Sequence, residues 1–362
     1  MSKQKILIIT NHSYMLWQFR KELISELLKD NDIIISTPFV GNEDKLMSIG
    51  CKCIETEVDR RGINPVTDYK LFKTYKKIIK TEKPDLVITY SIKPNIYAGL
   101  ACSILKVPYC ANVQGLGTAF QSEPIATIAT ILYKIALKKS KTVFFENTSN
   151  AAVFVERHIV SSEKQTILNG AGVNLEEYSY CPYPDEDNGI NFLFVGRIMK
   201  EKGVDELFEA AKKLKAKYSD RIKFHLVGFF EDEYKEIVED LVEKDILIFH
   251  GFQSNPIPFY QQAHCIILPS YHEGMSNVLL EAASIGRALI TTNIPGCKEA
   301  VDETSNGYLC SKMDAESLEN CIEKFIALTT EQRKAMGING RNKMINEFNK
   351  KDIVKNTITA AL

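Results

Sequence analysis

Two acidic residues at a fixed spacing form the strongest candidate for a chemical site in this chain of 362 residues. Glu273 lies in a loop after the apolar run 265–268, and Glu281 lies inside the predicted helix that follows. We expect Ser276 to cap that helix, so that the backbone amides of residues 274–277 face a phosphate group. Carboxylates accept hydrogen bonds from hydroxyl groups, so the pair suits a sugar and a ribose. The alternative interpretation is an ordinary loop Glu beside a salt-bridged helical Glu.

A second group of candidate residues follows the strand predicted at 191–195. Gly196 opens a turn there, and Arg197 and Lys202 lie beyond the strand, where a helix begins. Arginine can bind two phosphate oxygens at once, and lysine acts as a mobile positive charge. If a nucleoside diphosphate is the leaving group of a reaction, both cations stabilise the negative charge that grows on it. Taken alone, Arg197 could equally be a structural cation.

Both groups follow strands in a chain that alternates apolar, β-branched runs with amphipathic helical patterns. Strands buried on both faces and separated by helices predict parallel sheets with right-handed crossovers. The fold class is therefore α/β, with two Rossmann-like, doubly wound sheets in tandem. The predicted strands are 5–10, 33–37, 86–90, 107–113, 142–145, 165–168, 191–195, 222–227, 246–249, 265–268 and 288–292. The predicted helices are about 15–29, 68–82, 94–105, 124–140, 148–158, 204–217, 232–243, 256–262, 276–286, 314–328 and 330–346.

The length of the chain exceeds that of one ordinary core and predicts about two domains. The stretch 180–189 is rich in proline, acidic residues and glycine, which is typical of a linker. We expect a first domain over residues 1–180, a linker at 181–190 and a second domain over 191–347. Because ligands of doubly wound sheets bind beyond the carboxyl ends of the strands, we expect the ligand site in a cleft between the two domains.

The charge of the chain is divided unevenly. Residues 1–180 contain 23 Lys+Arg and 18 Asp+Glu, a net of +5, and the remainder contains 22 and 28, a net of −6. The total of −1 gives no reason to expect nucleic-acid binding, whereas the basic first half suits an anionic ligand or surface. Nine cysteines with no Cys-x-x-Cys pair favour reduced thiols in a cytosolic protein.

Several other chemistries lack their sequence signatures. No Gly-x-Gly-x-x-Gly fingerprint follows the first strand, and no Walker-type Gly-Lys-Ser/Thr is present, so redox and kinase-like interpretations lose their main support. The six histidines show no metal-ligand spacing. Asp185-Glu186-Asp187 matches the Asp-x-Asp of metal-dependent sugar transferases, but it lies in the predicted linker with no apolar strand before it. We therefore expect a solvated linker there and no metal site.

The two groups of residues together resemble the donor site of retaining family-4 glycosyltransferases of the GT-B fold. Arg197 with Lys202-Gly203, and Glu273-Gly274 with Glu281, carry the resemblance. It implies that Arg197 and Lys202 bind the donor diphosphate, that Glu273 contacts the donor sugar and that Glu281 binds the ribose. It also implies transfer with retention, no bound metal or cofactor, and a C-terminal helix, about 348–362, that crosses back to the first domain. The expected catalytic residues are Glu273, Arg197 and Lys202, and the expected donor-binding residues are Gly196, Gly251, Phe252, Gly274, Met275, Ser276, Asn277 and Glu281.

Further motifs resemble bacterial members that extend lipid-linked oligosaccharides, among them N-acetylgalactosaminyltransferases. They are residues 90–99, residues 113–117, Arg60 with Asn64-Pro65, and residues 295–299. The resemblance implies a UDP-sugar donor, with N-acetylgalactosamine as the first choice of sugar, and an acceptor carried on undecaprenyl diphosphate. Two other interpretations stay open. One is a soluble enzyme of this fold with a non-lipid acceptor or a UDP-sugar epimerase, and the other is a nonenzymatic protein that binds nucleotide sugars.

The first half should then bind the acceptor. Many family members carry glycines after the first strand, whereas this chain has Asn11-His12-Ser13, so we expect the loop to serve the acceptor. Gly115 and Gly117 permit close approach of the backbone to the reacting sugars. Candidate cations for the carrier diphosphate are Arg20, Arg60, Arg61 and Lys93, each of which could also be a surface charge. The expected acceptor-binding residues are His12, Arg60, Lys93, Gly115 and Gly117.

The stretch 124–141 combines an apolar stripe with clustered lysines. Helical spacing places Ile125, Ile128, Leu132 and Ile135 on one stripe, and Lys134, Lys138, Lys139 and Lys141 crowd its end. This pattern is typical of an interfacial helix on an anionic leaflet; the alternative is a helix packed on the sheet with a solvated lysine edge. No signal peptide or membrane-spanning run is present. We expect a cytoplasmic protein that associates peripherally with the inner face of the cell membrane.

Overall fold

The chain folds into two units, and each unit has its own parallel sheet. The structure is a computed structural model that describes residues 3–59, 64–117, 120 and 123–362. The first unit contains Met1–Ala171 and Lys351–Leu362, and the second contains Gly172–Lys350.

The sheet of the first unit has the strand order β3-β2-β1-β4-β5-β6-β7 within the described residues, and all neighbouring strands pair in parallel. Its strands are β1 (Gln4–Ile9), β2 (Asn31–Thr37), β3 (Lys52–Glu55), β4 (Leu86–Tyr90), β5 (Tyr109–Val113), β6 (Val143–Phe145) and β7 (Gln165–Ile167). Its helices are α1 (Ser13–Asp30), α2 (Glu43–Ser48), α3 (Pro65–Glu82), α4 (Ile92–Leu105), α5 (Glu123–Leu137) and α6 (Thr148–Glu156).

Both faces of this first sheet are covered, which explains its continuous apolar runs. Alternate residues of β1 enter two different cores. Ile8 belongs to a core with Leu16 of α1, whereas Ile9 belongs to a core with Tyr75 of α3. The strand must therefore be apolar on both faces.

The sheet of the second unit, whose residues are all described, has the order β10-β9-β8-β11-β12-β13, again with parallel pairing. Its strands are β8 (Ile190–Val195), β9 (Ile222–Val227), β10 (Ile248–Phe249), β11 (Cys265–Leu268), β12 (Ala288–Thr292) and β13 (Gly307–Cys310). Its helices are α7 (Val204–Tyr218), α8 (Lys235–Glu243), α9 (Ile257–Gln262), α10 (Asn277–Ile285), α11 (Ala315–Ala327) and α12 (Thr330–Glu347). The last helix of the chain, α13 (Lys350–Ala361), adds Ile353 and Ala361 to the core of the first unit. Two doubly wound α/β sheets confirm the predicted fold class.

The proline-rich segment before β8 is a packed part of the second unit, so the predicted solvated linker at 181–190 is wrong. The Cys181 amide donates to the Ile285 carbonyl over 3.0 Å, and the buried Arg287 donates to the carbonyls of Cys181 and Pro182. Glu186 forms a 2.6 Å ion pair with Arg333 of α12. The boundary between the units accordingly lies at 171/172, earlier than the predicted 180/181.

Three elements, α2, β3 and β13, are absent from the predicted series. All are short, with six, four and four residues, so none carries a long apolar pattern of its own. Within the described part of the chain, no helix is long and apolar enough to cross a membrane.

Candidate active site

The loops that follow β8 and β11 lie at the point where the strand order of the second sheet reverses. β8 pairs with β9 on one side and with β11 on the other. The crossovers leave this point in opposite directions, which opens a crevice at the carboxyl ends of the two strands. Gly196 and Arg197 directly follow β8, and the loop 269–276 follows β11.

Lys202 and Glu273 meet in this crevice. The Lys202 Nζ lies 2.5 Å from Oε1 of Glu273, and the hydroxyl of Ser270 donates to the same oxygen over 2.8 Å. The side chains are only 17% and 13% exposed, so the pair is shielded from bulk water. An ammonium group has three donors and a carboxylate has two oxygens. Lys202 therefore keeps donors for phosphate oxygens, and Oε2 of Glu273 can accept from a sugar hydroxyl.

Backbone contacts fix the loop that carries Glu273. The Tyr271 amide donates to the Glu201 carbonyl over 2.8 Å, which ties the loop to the turn of Lys202. The Ser276 amide donates to the Gly296 carbonyl, also over 2.8 Å. Gly296 has a φ of 87°, and a Cβ at this position would lie 2.6 Å from the Gly274 carbonyl oxygen and 2.7 Å from that of Glu273. Only glycine fits there.

At the start of α10, fewer backbone amides are available to a phosphate than the sequence predicted. Ser276 occupies the N-cap position, but its side chain makes no capping hydrogen bond. Its amide is used by Gly296, so a phosphate cannot take all four of the amides that were predicted to face it. Met275 is buried in the core of the second unit, which leaves its backbone for a ligand, and Asn277 is half-buried.

Arg197 has a different partner from Lys202. Its guanidinium forms an ion pair with Glu231, and the Lys200 amide donates to Asp232 over 3.0 Å. Both acids follow β9, the strand next to β8 in the sheet. Arg197 remains partly exposed, so it could exchange Glu231 for a phosphate. The sequence offered only one signal for the two acids, which is their place after a predicted strand.

Glu281 is held by tyrosines. The Tyr260 hydroxyl donates to its Oε2 over 3.0 Å. Burial raises the pKa of Glu281 to about 7, although hydrogen bonds from Tyr260 and Tyr178 act to lower it. The sequence analysis did not select Tyr260 or Tyr178, although both are partners of Glu281, the residue predicted to bind the ribose. A ribose hydroxyl would join or replace them.

Gly251 and Phe252 follow β10 at the same edge of the sheet. Gly251 has a φ of 67°, and its carbonyl accepts from the Gly228 amide over 2.9 Å. Phe252 is exposed and meets the exposed Phe229 edge to face, with ring centroids 5.9 Å apart. Two exposed aromatic rings, beside a glycine whose backbone is in the left-handed conformation, could stack on a flat heterocycle. Sequence reasoning had not selected Phe229.

The predicted acceptor residues follow neighbouring strands of the first sheet. His12 follows β1, Lys93 follows β4, and Gly115 and Gly117 follow β5, so all lie towards its carboxyl edge. Lys93 is not a free cation there, because its Nζ lies 2.8 Å from Oδ1 of Asp68. Gly117 has a φ of 60°. Arg60 and Arg61 lie outside the described residues.

In the described ranges, no group of three or more His, Cys, Asp or Glu side chains could hold a metal ion.

The chain matches known proteins in sequence and in fold. A family model described as "Glycosyl transferase 4-like" matches residues 5–147, and "Glycosyl transferases group 1" matches residues 183–343. The solved structure of Anabaena HepE in complex with UDP and glucose superimposes with a TM-score of 0.79 at 15% identity, covering 98% of both chains. A glycosyltransferase from Rickettsia africae gives a TM-score of 0.79 at 21% identity, covering 99% of this chain and 98% of that one. These likenesses show the GT-B fold.

Two curated relatives extend the match along the sequence. One is the N,N'-diacetylbacillosaminyl-diphospho-undecaprenol alpha-1,3-N-acetylgalactosaminyltransferase of Campylobacter jejuni, 26% identical over 85% of both chains. The other is the UDP-Gal:alpha-D-GlcNAc-diphosphoundecaprenol alpha-1,3-galactosyltransferase of Escherichia coli, 26% identical over 80% of this chain and 78% of that one. Since the two family models together match most of its length, the chain belongs to the family-4 glycosyltransferases.

Proposed function

We propose that this glycosyltransferase moves an N-acetylhexosamine or hexose, with N-acetylgalactosamine as the first choice, from a UDP-sugar to a sugar carried on undecaprenyl diphosphate. The observation that carries the donor side is the pairing of Lys202 with Glu273 at the strand-order reversal of the second sheet. Such a transfer assembles bacterial glycans such as O-antigen, capsule or glycoprotein sugars.

The acceptor class has broader support than the sugar. The two curated relatives differ in the sugar that their names give, N-acetylgalactosamine in one and galactose in the other. Both names give an acceptor linked to undecaprenyl diphosphate. A carrier of this kind is anionic and membrane-bound, which fits the net charge of +5 over residues 1–180.

The donor site can stabilise a departing UDP with protein cations. Lys202 donates to the diphosphate while Glu273 holds its ammonium in place, and Arg197 leaves Glu231 to bind the same group. Both positive charges then face the bond whose cleavage puts negative charge on the phosphate. Lys202 is the shielded one of the two, and such interactions are stronger away from water. Glu273 orients a donor-sugar hydroxyl, and Glu281 binds the ribose. The transfer proceeds with retention and without a bound metal, as the family resemblance implies.

The exposed face of α5 is proposed to bind the inner leaflet of the membrane. Ile128, Ile131 and Ile135 are 55%, 53% and 55% exposed, and Lys134, Lys138 and Lys139 are exposed beside them. The apolar stripe therefore contains Ile131 in place of the predicted Leu132 and Ile125, which are partly buried. Lys141 is engaged elsewhere, because its Nζ lies 3.0 Å from the Ala361 carbonyl oxygen and 2.9 Å from that of Leu362. Exposed isoleucines with lysines at one end of the stripe are typical of a surface that binds an anionic bilayer.

Transfer is tested with purified protein, a panel of UDP-sugars and an undecaprenyl-diphosphate-linked amino sugar, with product mass as the readout. Lys202→Ala and Glu273→Ala should each lower transfer about 100-fold or more, since each removes a group that stabilises the transition state. Lys200→Ala is the matched control, because this exposed lysine in the same turn bonds with Asp232 and Gly203 through its backbone. UDP release without a gain of sugar mass on the acceptor contradicts the proposal, and unchanged transfer in both alanine variants contradicts the assigned site.

Membrane binding is tested by sedimentation with vesicles that contain anionic lipid. Replacing Ile128, Ile131 and Ile135 by serine should lower the bound fraction at all salt concentrations, because the apolar contact is lost. Replacing Lys134, Lys138 and Lys139 by glutamine should lower it mainly at low salt, because charge attraction is screened by salt. Ile237→Ser, on the exposed side of α8, is the control. Equal binding by the wild-type protein, the two triple variants and the control would show that α5 is not the contact surface.

A further inference from the structure

A buried ion pair that the proposed donor site does not use lies at the carboxyl edge of the first sheet. The Arg20 Nη2 of α1 lies 2.6 Å from Oε1 of Glu146, and the two side chains are 5% and 12% exposed. Glu146 directly follows β6, and the guanidinium lies over the ring of Tyr90, the last residue of β4, at 5.4 Å from its centroid. Gln114, directly after β5, acts to lower the pKa of Glu146, and its Nε2 lies 3.6 Å from Sδ of Met15 in α1. Four elements therefore bring polar groups to the edge where ligands of doubly wound sheets bind.

If this cluster had only a structural role, it would contribute little to the stability of the fold. A buried ion pair adds little stability over apolar residues of the same size, because both charges lose their hydration. The Arg20 Nε is also buried and has no hydrogen-bond partner among the described residues. The same holds for Oγ1 of Thr10, which follows β1 at the same edge. An unpaired buried donor costs about 1–3 kcal/mol. An incoming ligand that bonds with these groups would remove that cost.

Backbone strain marks the same edge independently. Ser91, directly after β4, has a φ of 74° and a ψ of 159°, a region that is essentially restricted to glycine. Its hydroxyl donates to Oδ1 of Asn11 over 2.8 Å. This contact joins the loops after β1 and β4, where the strand order of the first sheet reverses. Strain of this kind is concentrated at binding sites.

The charge of the cluster decides which ligand it suits. Arg20 is neutralised by Glu146, so a diphosphate would meet the carboxylate as well as the guanidinium. The predicted role of Arg20 as a diphosphate ligand is therefore disfavoured. A neutral ligand with several hydroxyl or amide groups can donate to the carboxylate and accept from the Arg20 Nε–H without displacing either charge. Gln114 is half-buried and leads into Gly115, so this side of the cluster is partly open to solvent.

We propose that Glu146, held by Arg20 and influenced by Gln114, binds the acceptor sugar through the hydroxyl or amide groups of that sugar. This inference rests on the proposed function, because it names the part of the first unit that recognises the acceptor. Glu146 is a substrate-binding residue in this scheme, and Arg20 and Gln114 are positioning residues. The carrier diphosphate is bound elsewhere.

The test measures KM for the lipid-linked acceptor and for the UDP-sugar in Glu146→Gln. The acceptor KM should rise about tenfold or more, the typical worth of a hydrogen bond to a charged group. The donor KM and the slow hydrolysis of UDP-sugar without acceptor should stay within twofold of the wild-type values. Glu186→Gln is the matched control, because it removes the charge from another Arg–Glu pair, in the second unit, and should leave the acceptor KM unchanged.

Two further measurements separate binding from a structural role. Burial raises the pKa of Glu146 to about 7, against the lowering effects of Arg20 and Gln114, and the Tyr90 phenol also faces the pair. The wild-type acceptor KM should accordingly rise as the pH falls below about 7, and this rise should be absent in Glu146→Gln. If that variant does not fold, Gln114→Ala should raise the acceptor KM severalfold with the donor KM unchanged, because it buries no unpaired charge.

The outcomes are distinguishable. If the wild-type protein transfers no sugar to the lipid acceptor, the proposed function fails. If it transfers sugar and both Glu146→Gln and Gln114→Ala keep the wild-type acceptor KM, or raise the KM of both substrates equally, the assignment of Glu146 to the acceptor is wrong.

Discussion

At the scale of single residues, the proposed donor site depends on contacts between positions far apart in the sequence. Lys202 and Glu273 neutralise one another in a shielded crevice, yet each keeps hydrogen-bonding capacity for a ligand. This arrangement fixes both side chains without a bound ligand. Preorganised charge lowers the cost of stabilising a transition state, because the groups need not reorient during the reaction.

Gly296 gives a prediction at this scale. Gly296→Ala should destabilise the second unit by about 2 kcal/mol or more, because alanine at a φ of 87° is strained and its Cβ would press on the carbonyls of Glu273 and Gly274. Transfer should fall with it, since the loop that carries Glu273 must shift. Urea denaturation and the transfer assay measure the two effects.

Gly251→Ala is the stability control for this substitution. Gly251 also has a positive φ, but no atom lies within 4 Å of a Cβ built there, so alanine meets only the backbone strain. Equal destabilisation by the two substitutions would show that the contact with the Glu273 loop is unimportant.

At the scale of elements, the segment before β8 shows how composition can mislead. Prolines and acidic residues are typical of linkers, but here Glu186 accepts hydrogen bonds from Arg333, Thr330 and Tyr183. Arg333 in turn donates to the carbonyls that end α11, including that of Ile326 over 3.1 Å. The acid therefore fastens the segment to α12 and to the end of α11.

Glu186 makes the second unit sensitive to acid. Burial alone raises its pKa, but the bonds from Arg333, Thr330 and Tyr183 outweigh this and lower the pKa from 4.5 to about 2. Because the folded pKa lies below the unfolded one, the stabilisation is present above pH 4.5 and is lost as the pH falls towards 2. Glu186→Gln should cost about 3 kcal/mol at pH 7 and flatten this dependence.

Urea denaturation at several pH values between about pH 2 and pH 7 measures how the free energy of unfolding falls as Glu186 is protonated. Glu209→Gln is the control, because its ion pair with Lys213 is exposed on α7 and such pairs contribute about 0–1 kcal/mol. A pH dependence of Glu186→Gln that equals that of the wild-type protein would contradict the role of the carboxylate.

At the scale of the whole molecule, the chain returns to the first unit after it has completed the second. Ile353 and Ala361 of α13 are buried with residues of α1 and β1, and Lys141 binds the carbonyls at the end of α13. The last helix is thus part of a core that is otherwise formed by the first 171 residues. The first unit cannot complete that core without α13.

Ile353→Ala should therefore weaken the first unit and spare the second. A large-to-small change in a packed core costs about 2–5 kcal/mol. Calorimetry should show the transition of the first unit at a lower temperature, with the transition of the second unit unchanged. Lys355→Ala, on the exposed side of α13, should leave both transitions in place. A loss of stability confined to the second unit would contradict the placement of α13.

The sequence alone determined the features that depend on local pattern. Alternating apolar runs and helical patterns defined both sheets, because strands buried on two faces must be apolar throughout. The spacing of Glu273 and Glu281, and the place of Arg197 and Lys202 after a strand, identified the candidate donor site. The short elements α2, β3 and β13 were left out of the predicted series, because four to six residues carry too little periodicity.

Only the tertiary structure decided which side chains meet. Lys202 reaches Glu273 across 71 residues of chain, Arg20 reaches Glu146 across 126, and Glu186 reaches Arg333 across 147. No local pattern encodes such pairs, since they depend on which strands become neighbours and on how far the helices cover each edge. Burial then sets the energies of these groups. Away from water, the attraction between paired charges is stronger, and a buried polar group without a partner costs free energy. For that reason Arg20, a candidate phosphate ligand by charge alone, is a neutralised partner of Glu146 in the folded protein.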